Sequence, residues 1–236
     1  IAWPARITRE APFLREVLAG APSRRLLDLG CGTGEHARFL QEEGFDVTGV
    51  DASEAQLAQA RDAGPGPEFV KGDLAALGEA VTGSFGAAIS VGNGLPHLFE
   101  GPMASFLAGL AKLLLPGAPV LFQLLNYDRI HDGRVTSLPL NVREDEAERV
   151  VFLRLMDPRP DGSVLFNPTT LRWRPGEEPP VEVVTGKNVL LKGWRRAELE
   201  ATLGAAGFRV EEVFGGMRRE EWDAAASPDT VVLARR

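Results

Sequence analysis

The stretch LLDLGCGTGEH, residues 26–36, joins an apolar strand pattern to three glycines at alternate positions and then to the start of a helical pattern. Gly30 and Gly34 fall where the strand gives way to the helix. A glycine there permits a positive φ and lets a ligand lie close to the backbone. Backbone flexibility alone does not need this spacing, so the stretch predicts a ligand site at the end of the first strand.

Acidic residues around this glycine loop bear on the charge of the ligand. Asp28 precedes the glycines, Glu35 follows them, and Asp51 ends the second predicted strand. A carboxylate at the end of that strand suits the two hydroxyls of a ribose. Asp28 and Glu35 would repel a pyrophosphate and favour a cationic or zwitterionic nucleoside such as S-adenosylmethionine. An NAD(P)-dependent oxidoreductase, whose G-x-G-x-x-G loop binds pyrophosphate, is the alternative.

Strand and helix patterns alternate through the first half of the chain, which predicts a parallel sheet with helices on both faces. The pattern changes after the fifth strand, where extended segments separated by Pro/Gly turns predict an antiparallel β meander. We therefore predict an α/β fold with one domain over 1–236 and an antiparallel insertion, or lid, over 132–192. The predicted strands are 25–30, 45–51, 68–73, 85–93, 118–126, 208–216 and 229–236, and the helices are 35–44, 53–64, 103–117 and 195–207.

Composition and charge exclude several classes of partner. The net charge of −7 argues against binding to a nucleic-acid backbone, which needs a basic face. No apolar run approaches the roughly 20 residues that cross a bilayer. The single cysteine cannot form an internal disulfide, and no Cys/His cluster indicates a metal site. We expect a cytoplasmic protein without nucleic-acid, membrane or metal partners; its oligomeric state is left open.

Five successive segments resemble the motifs of class I S-adenosylmethionine-dependent methyltransferases. The segments are LLDLGCGTGEH, VTGVDASEAQLAQAR, FVKGDLAAL, FGAAISVGNGLPHL and LLLPGAPVLFQLLNYDRI, and they cover roughly residues 24–130 in the family's order. The resemblance implies a Rossmann-like, seven-stranded mixed sheet whose last strand is antiparallel. It also implies S-adenosylmethionine as cofactor and S-adenosylhomocysteine as product.

The same resemblance implies which residues bind the cofactor. Some border the methionine moiety, some bind the ribose and the adenine, and some form the floor near the sulfonium. They are Asp28 behind the glycine loop, Gly30, Cys31 and Gly32 at the methionine moiety, Asp51 at the ribose, Ala52, Asp73 and Leu74 at the adenine, and Val91 and Asn93 near the sulfonium.

The acceptor side resembles the glycine and sarcosine N-methyltransferase branch in the segments GNGLPHL and NYDRI. That resemblance makes His97 and Tyr127 the candidate catalytic residues, with Asn93 beside them. A histidine can take a proton from an amine or a hydroxyl near neutral pH. The branch has an arginine directly before Asn-Tyr-Asp, where this chain has Leu125. Glycine is therefore not the implied acceptor, and another amine or a hydroxyl compound remains open.

The predicted function is methyl transfer to a small-molecule acceptor, with an amine favoured. A non-catalytic module that only binds S-adenosylmethionine is a further alternative, because the motifs establish binding and not turnover. The predicted meander would cover the carboxyl edge of the sheet, where α/β proteins bind ligands. Its candidates for reaching the acceptor are Arg143, Arg154, Arg172 and Trp173.

Overall fold

A computed structural model describes residues 3–144 and 148–236 of the chain. The first half alternates helices and strands as its sequence predicts. Its elements are α1 (Trp3–Leu18), β1 (Arg25–Leu29), α2 (Glu35–Glu42), β2 (Asp46–Asp51), α3 (Glu54–Asp62), β3 (Glu68–Lys71), α4 (Leu77–Ala80), β4 (Ala87–Ser90), α5 (Glu100–Leu113) and β5 (Pro119–Leu125).

The second half holds the meander and the closing units of the larger sheet. Its elements are α6 (Tyr127–Asp132), β6 (Asn141–Glu144), β7 (Arg149–Pro158), β8 (Ser163–Trp173), β9 (Val181–Gly186), β10 (Val189–Lys192), α7 (Arg196–Ala205), β11 (Arg209–Phe214) and β12 (Asp229–Arg235).

Seven strands of the described chain form the larger sheet, in the order β11-β12-β5-β4-β1-β2-β3. Strand β12 runs antiparallel to both of its neighbours, whereas β1 to β5 pair in parallel. Side chains of β4 and β5 are almost entirely buried because helices cover both faces. The predicted α/β fold with an antiparallel last strand is confirmed.

The two faces of β1 enter different hydrophobic cores. Leu27 and Leu29 pack with α5 and α7, while Leu26 packs with α1 and α2. Successive side chains of a strand point to opposite faces, so Asp28 shares the α1–α2 side with Leu26. An acid is thereby placed on the buried side of β1 that packs against α1 and α2, directly behind the glycine loop.

The smaller sheet is the predicted antiparallel meander. Its order is β10-β8-β7-β6, and β9 pairs with β8 beyond the end of β10. Met156, Val164 and Trp194 connect it to the core that contains Tyr127. The Trp194 indole N–H donates to the carbonyl of Leu98 over 2.9 Å. The meander is thus attached to the larger sheet near the end of β4.

Several predicted strands extend past the observed carboxyl ends, and the local conformation explains two of them. The strand predicted over 85–93 ends at Ser90, because Gly92 and Asn93 adopt φ of 104° and 69° and turn the chain. The strand predicted over 68–73 ends at Lys71. Asp73 instead caps a short 3₁₀ turn, where its Oδ1 accepts the Ala75 N–H over 2.9 Å.

Candidate functional site

The carboxyl ends of β1, β2, β4 and β5 meet at one edge of the larger sheet. Strand β12 is antiparallel, so its amino end comes to the same edge, and Asp229 pairs with Leu125 there. This edge brings together the glycine loop, the end of β4 and the base of the meander. The residues predicted to bind the cofactor, together with His97 and Tyr127, lie on or directly behind it.

The glycine loop is held in place by Asp51. Gly30, Gly32 and Gly34 have φ of 74°, 57° and 81°, which are backbone angles that residues with a Cβ rarely adopt. The Gly32 N–H donates to Asp51 Oδ2 over 2.9 Å, and the Ser53 N–H donates to Oδ1 over 2.8 Å. The acid predicted to bind a ribose therefore also shapes the loop beside it.

Two of these glycines have different physical reasons to lack a side chain. A Cβ on Gly34 would lie 2.5 Å from Phe69 Cζ, so packing excludes it. A Cβ on Gly30 would meet nothing within 4 Å. The backbone at Gly30 consequently faces open space, and it fits a ligand that lies against bare backbone.

Asp28 is a buried acid, only 3% exposed, whose Oδ2 has no hydrogen-bond partner in the described chain. Burial raises the pKa of its carboxyl to about 6 from an ordinary 3.8, with Asp51 adding to the rise and His36 opposing it. A cation arriving at the loop would stabilise the ionised form. The charge of this site thus fits a sulfonium nucleoside better than a diphosphate.

The other predicted cofactor residues lie around the same loop. Burial raises the pKa of the Cys31 thiol, so this cysteine is not a poised thiolate nucleophile. Ala52 and Asp73 are exposed at the ends of β2 and β3, and Leu74 begins the 3₁₀ turn after Asp73. These positions line up along the outer half of the edge, away from β5.

The turn after β4 is tied to β5 through side chains. The Gly92 N–H donates to Gln123 Oε1 over 2.6 Å, and Asn93 Oδ1 accepts the Leu125 N–H over 3.0 Å. The Asn93 amide also donates to the Tyr127 hydroxyl over 3.2 Å. Because Asn93 adopts a left-handed backbone, these bonds compensate for its strain and fix the turn.

The two candidate catalytic residues occupy different environments. Tyr127 is fully buried behind Asn93, and burial raises the pKa of its phenol. His97 lies at the rim of a cavity, where desolvation and the charge of Lys187 lower the pKa of its imidazole, against an opposing effect of Asp51. His97 is therefore available as a neutral base near pH 7, whereas Tyr127 supports the turn from behind.

A cavity of about 810 Å³ opens beside the turn after β4. Its walls come from α1, the ends of β4 and β5, the first residue of β12 and the meander. Its lining includes Arg6, Arg9, Glu10, Gly92, Asn93, His97, Gln123, Leu125, Leu138, Leu140, Arg143, Arg154, Phe166 and Asp229.

Most charged groups of this cavity are already paired. Arg6 Nε contacts Glu10 Oε1 over 2.8 Å, and Glu10 Oε2 lies 2.8 Å from His36 Nε2. Asp229 has no ion-pair partner among the described residues, and burial raises its pKa to about 6. Arg154 donates to the carbonyl of Pro139 over 2.8 Å, but its buried Nε has no partner in the described chain. The cavity thus contains the carboxylate of Asp229, which has no ion pair among the described residues, and the guanidinium of Arg154, which is only partly hydrogen-bonded.

The structure divides the four candidates from the meander. Arg143 and Arg154 line the cavity. Arg172 is bound elsewhere, 3.0 Å from Glu148 and 3.1 Å from Glu182, and the Trp173 ring packs under the Arg149 guanidinium at 4.4 Å. Arg172 and Trp173 lie at the far end of β8 and do not line this cavity.

Sequence reasoning missed Glu10, Gln123 and Asp229. Gln123 had a signal, since it is a polar residue inside the otherwise apolar strand VLFQLL. Asp229 had a weaker one, as the acid that opens the last strand. Glu10 had none, because only the packing of α1 over α2 brings it to the cavity. His36 proves to be a packing residue bound to Glu10.

Comparison with known families accounts for this arrangement. Residues 26–117 match a family model described as a methyltransferase domain. They form a class I S-adenosylmethionine-dependent methyltransferase domain. The class recognised from the motifs is thereby confirmed, and S-adenosylmethionine is the cofactor of that class.

Curated relatives of the methyltransferase domain act on different atoms. The chain is 35% identical over 138 residues to the glycine/sarcosine N-methyltransferase of Parasynechococcus marenigrum (strain WH8102), which covers 56% of this chain and 49% of that protein. It is 31% identical over 112 residues to the ubiquinone biosynthesis O-methyltransferase of Hahella chejuensis (strain KCTC 2396), which covers 46% of each. The chain spans about half the length of such relatives.

A solved structure extends the likeness of fold beyond the matched segment. The structure of CalS10, an S-adenosylmethionine-bound amino pentose methyltransferase of Micromonospora echinaspora, superposes with a TM-score of 0.75 at 22% identity. The match covers 100% of this chain and 92% of that one. The meander is therefore included in the shared fold.

Two further findings concern residues 3–144 and 148–236 only. None of their helices combines the length and apolar character that a bilayer span requires. No group of three or more His, Cys, Asp or Glu side chains is arranged there to hold a metal ion.

Proposed function

We propose that this methyltransferase domain transfers a methyl group from S-adenosylmethionine to the amino group of a small molecule bound in the 810 Å³ cavity. The observation that carries this proposal is the position of the cavity. It opens against the Gly92–Asn93 turn at the end of β4, on the β5 side of the glycine loop. The cofactor can thus lie at the glycine loop on one side of this turn, and the acceptor in the cavity on the other.

The glycine loop and its acids would hold the cofactor. Gly30, Gly32 and the Cys31 backbone would border its methionine moiety, Asp51 would accept from the ribose, and Asp28 would balance the cationic sulfur from behind. Ala52, Asp73 and Leu74 would contact the adenine, and Val91 would form the floor. When bound, the cofactor supplies an electrophilic methyl group on a positively charged sulfur.

The protein's own contribution to methyl transfer would be chiefly alignment, since holding two reactants in contact replaces a bimolecular encounter. Asn93 fixes the turn against which the acceptor would lie, and Tyr127 would act through Asn93 as a positioning residue. His97 would contact the acceptor from the rim. Residues 132–192 would form a lid that excludes water from the cavity.

An amine acceptor is favoured by two independent points. The cavity contains the unpaired carboxylate of Asp229, which suits a cationic or hydrogen-bond-donating acceptor. One curated relative is also named an N-methyltransferase, and CalS10 is described as an amino pentose methyltransferase, so its substrate carries an amino group. The O-methyltransferase relative keeps a hydroxyl acceptor as the second candidate.

Calorimetry and a paired acceptor panel test the proposal. We expect S-adenosylmethionine and S-adenosylhomocysteine to bind, and NADH not to bind. Mass spectrometry should then detect methylation of at least one of glycine, sarcosine, ethanolamine and glucosamine, and of none of glycolate, ethylene glycol and glucose. Binding of NADH alone would restore the oxidoreductase reading, and cofactor binding without any methylated product would favour a non-catalytic module.

A further inference from the structure

Asp229 is a charged residue of the cavity lining to which the proposed function has assigned no step of the reaction. It is the first residue of β12 and reaches the ligand-binding edge only because that strand runs antiparallel. It lines the cavity beside Gly92, Asn93 and Gln123. It has no ion-pair partner among the described residues, although Arg6 is near enough to act on its charge.

The Gln123 side chain lies beside this carboxylate and is tied to the turn after β4. Gln123 Oε1 accepts the Gly92 N–H over 2.6 Å, and the Gln123 amide favours the charged form of Asp229. The side chain of Gln123 is buried in β5 and has little freedom to rotate. Asp229 therefore lies next to a side chain that is fixed to the turn, and it lines the cavity beside that turn.

We propose that Asp229 is the residue that binds the amino group of the acceptor and takes up its proton. This inference rests on the proposed function, which it deepens by assigning the base. The acceptor nitrogen gives a proton to the Asp229 carboxylate, and its lone pair then forms the new bond to the methyl carbon. The carbon–sulfur bond breaks, and its electron pair stays on the sulfur of the donor.

The surroundings of Asp229 suit a proton that arrives and leaves. Burial and the carboxylates of Glu10 and Glu220 favour its neutral form, while Gln123 and Arg6 favour its charged form. The resulting pKa of about 6 leaves the carboxylate ionised at neutral pH, yet makes it a stronger base than an ordinary aspartate. Arg9, His97, Arg143 and Arg154 face the same cavity from α1, the turn after β4 and the meander.

The test compares Asp229→Asn with Glu220→Gln in the full chain. Glu220 is a carboxylate close enough to act on Asp229, but it is bound to Arg218 and lies outside the cavity lining. For the amine methylated by the wild type, we expect Asp229→Asn to lower kcat/KM by at least about 100-fold, the typical contribution of a general base. S-adenosylhomocysteine affinity should be unchanged, and Glu220→Gln should retain activity.

Two pH measurements separate a base from a merely structural group. With S-adenosylmethionine saturating at every pH, so that the titration of Asp28 does not limit cofactor binding, wild-type kcat/KM for the acceptor should fall as pH drops through about 6 because Asp229 becomes protonated. This limb should be absent in Asp229→Asn. In ¹³C-carboxyl NMR, one aspartate that titrates near pH 6 should disappear in the variant. Its pKa should fall when the methylated amine is added, since a cation favours the carboxylate.

The outcomes distinguish the inference from the function on which it rests. If the wild type methylates an amine and Asp229→Asn does so at a similar rate with the same pH profile, the inference is overturned and the function stands. Loss of activity in His97→Ala together with full activity in Asp229→Asn would assign the base to His97 instead. If the wild type methylates no amine, the proposed function and this inference both fail.

Discussion

The two sheets of this molecule bury their strands to opposite extents. Strand β4 is buried throughout and β5 almost throughout, whereas β6 and β9 are exposed at every residue. The larger sheet has helices on both faces and fixes the glycine loop through short backbone contacts. The smaller sheet exposes apolar side chains such as Val183, which is 66% exposed. Positions in β4 and β5 are therefore constrained by packing far more than positions in β6 and β9.

The largest effect is expected where the two sheets join. Trp194 is 1% exposed and packs in the core of the larger sheet, so Trp194→Ala should lower the free energy of unfolding by about 4 kcal/mol through the cavity it leaves. Trp173→Ala, at the far end of the meander, is the matched control and should cost far less. Denaturant titration measures both. Equal losses would mean that the meander is packed as tightly as the core.

The next effect concerns the glycine loop and Asp51, where the cofactor is proposed to bind. Asp51→Ala removes the acceptor of the Gly32 and Ser53 N–H groups and of the proposed ribose hydroxyls. Losing charged hydrogen bonds should weaken S-adenosylmethionine binding by about 100-fold. Calorimetry measures the affinity, and circular dichroism checks that the fold is retained. An unchanged affinity would place the ribose elsewhere.

Asp28 tests the electrostatics behind the glycine loop. Its pKa of about 6 in the fold exceeds the ordinary 3.8, so its ionisation destabilises the folded state increasingly as pH rises from 4 to 6. Asp28→Asn should therefore stabilise the ligand-free protein by about 2 kcal/mol at pH 7, with part of the gain lost to a buried amide. The stabilisation should be lost below pH 4, where Asp28 is protonated in both the folded and the unfolded state. Thermal unfolding across pH measures it, and a pH-independent difference would contradict the assignment.

Asp28→Asn should stabilise the fold but weaken the binding of S-adenosylmethionine at neutral pH. Wild-type affinity for S-adenosylmethionine should strengthen as pH rises through 6, because the ionised Asp28 attracts the cationic sulfur. In Asp28→Asn this dependence should be flattened. Calorimetry at pH 5 and pH 8 provides the comparison.

A smaller effect is expected in the meander, and on the acceptor only. Arg154 faces the cavity with a buried Nε that has no partner in the described chain. Arg154→Met should raise KM by about 10-fold for acceptors that carry a carboxylate and leave neutral amines unaffected, since one charged hydrogen bond is lost. Arg172→Met, outside the cavity, is the matched control. Equal effects on both acceptor types would assign Arg154 to stability.

The smallest effect is expected on the exposed face of the meander. Val183→Thr should change the free energy of unfolding by less than about 0.5 kcal/mol, because an exposed strand residue loses little packing. Denaturant titration again measures it. A much larger loss would show that another surface covers this face, and the contrast between the two sheets would then be too simple.

Local sequence was sufficient to predict the glycine loop and the acid that holds it. The glycine spacing predicts a loop that needs positive φ at Gly30 and Gly34, and both residues adopt it. The acid that ends β2 predicts a partner for that loop, and Asp51 holds it. Each of these features depends on residues near in sequence or on neighbouring parallel strands, so the order of elements already implied their meeting.

The set of charged residues that line the cavity was decided by tertiary structure. Asp229 follows Gln123 by more than 100 residues, and Glu10 precedes Gln123 by more than 100 residues. Antiparallel pairing of β12 with β5 and the packing of α1 over α2 bring these side chains to one cavity. The sequence by itself determined the alternation that builds the sheet and the backbone geometry of the glycine loop, because glycine and strand periodicity act locally. Which charges line the cavity depended on strand direction and helix packing, which no local pattern encodes.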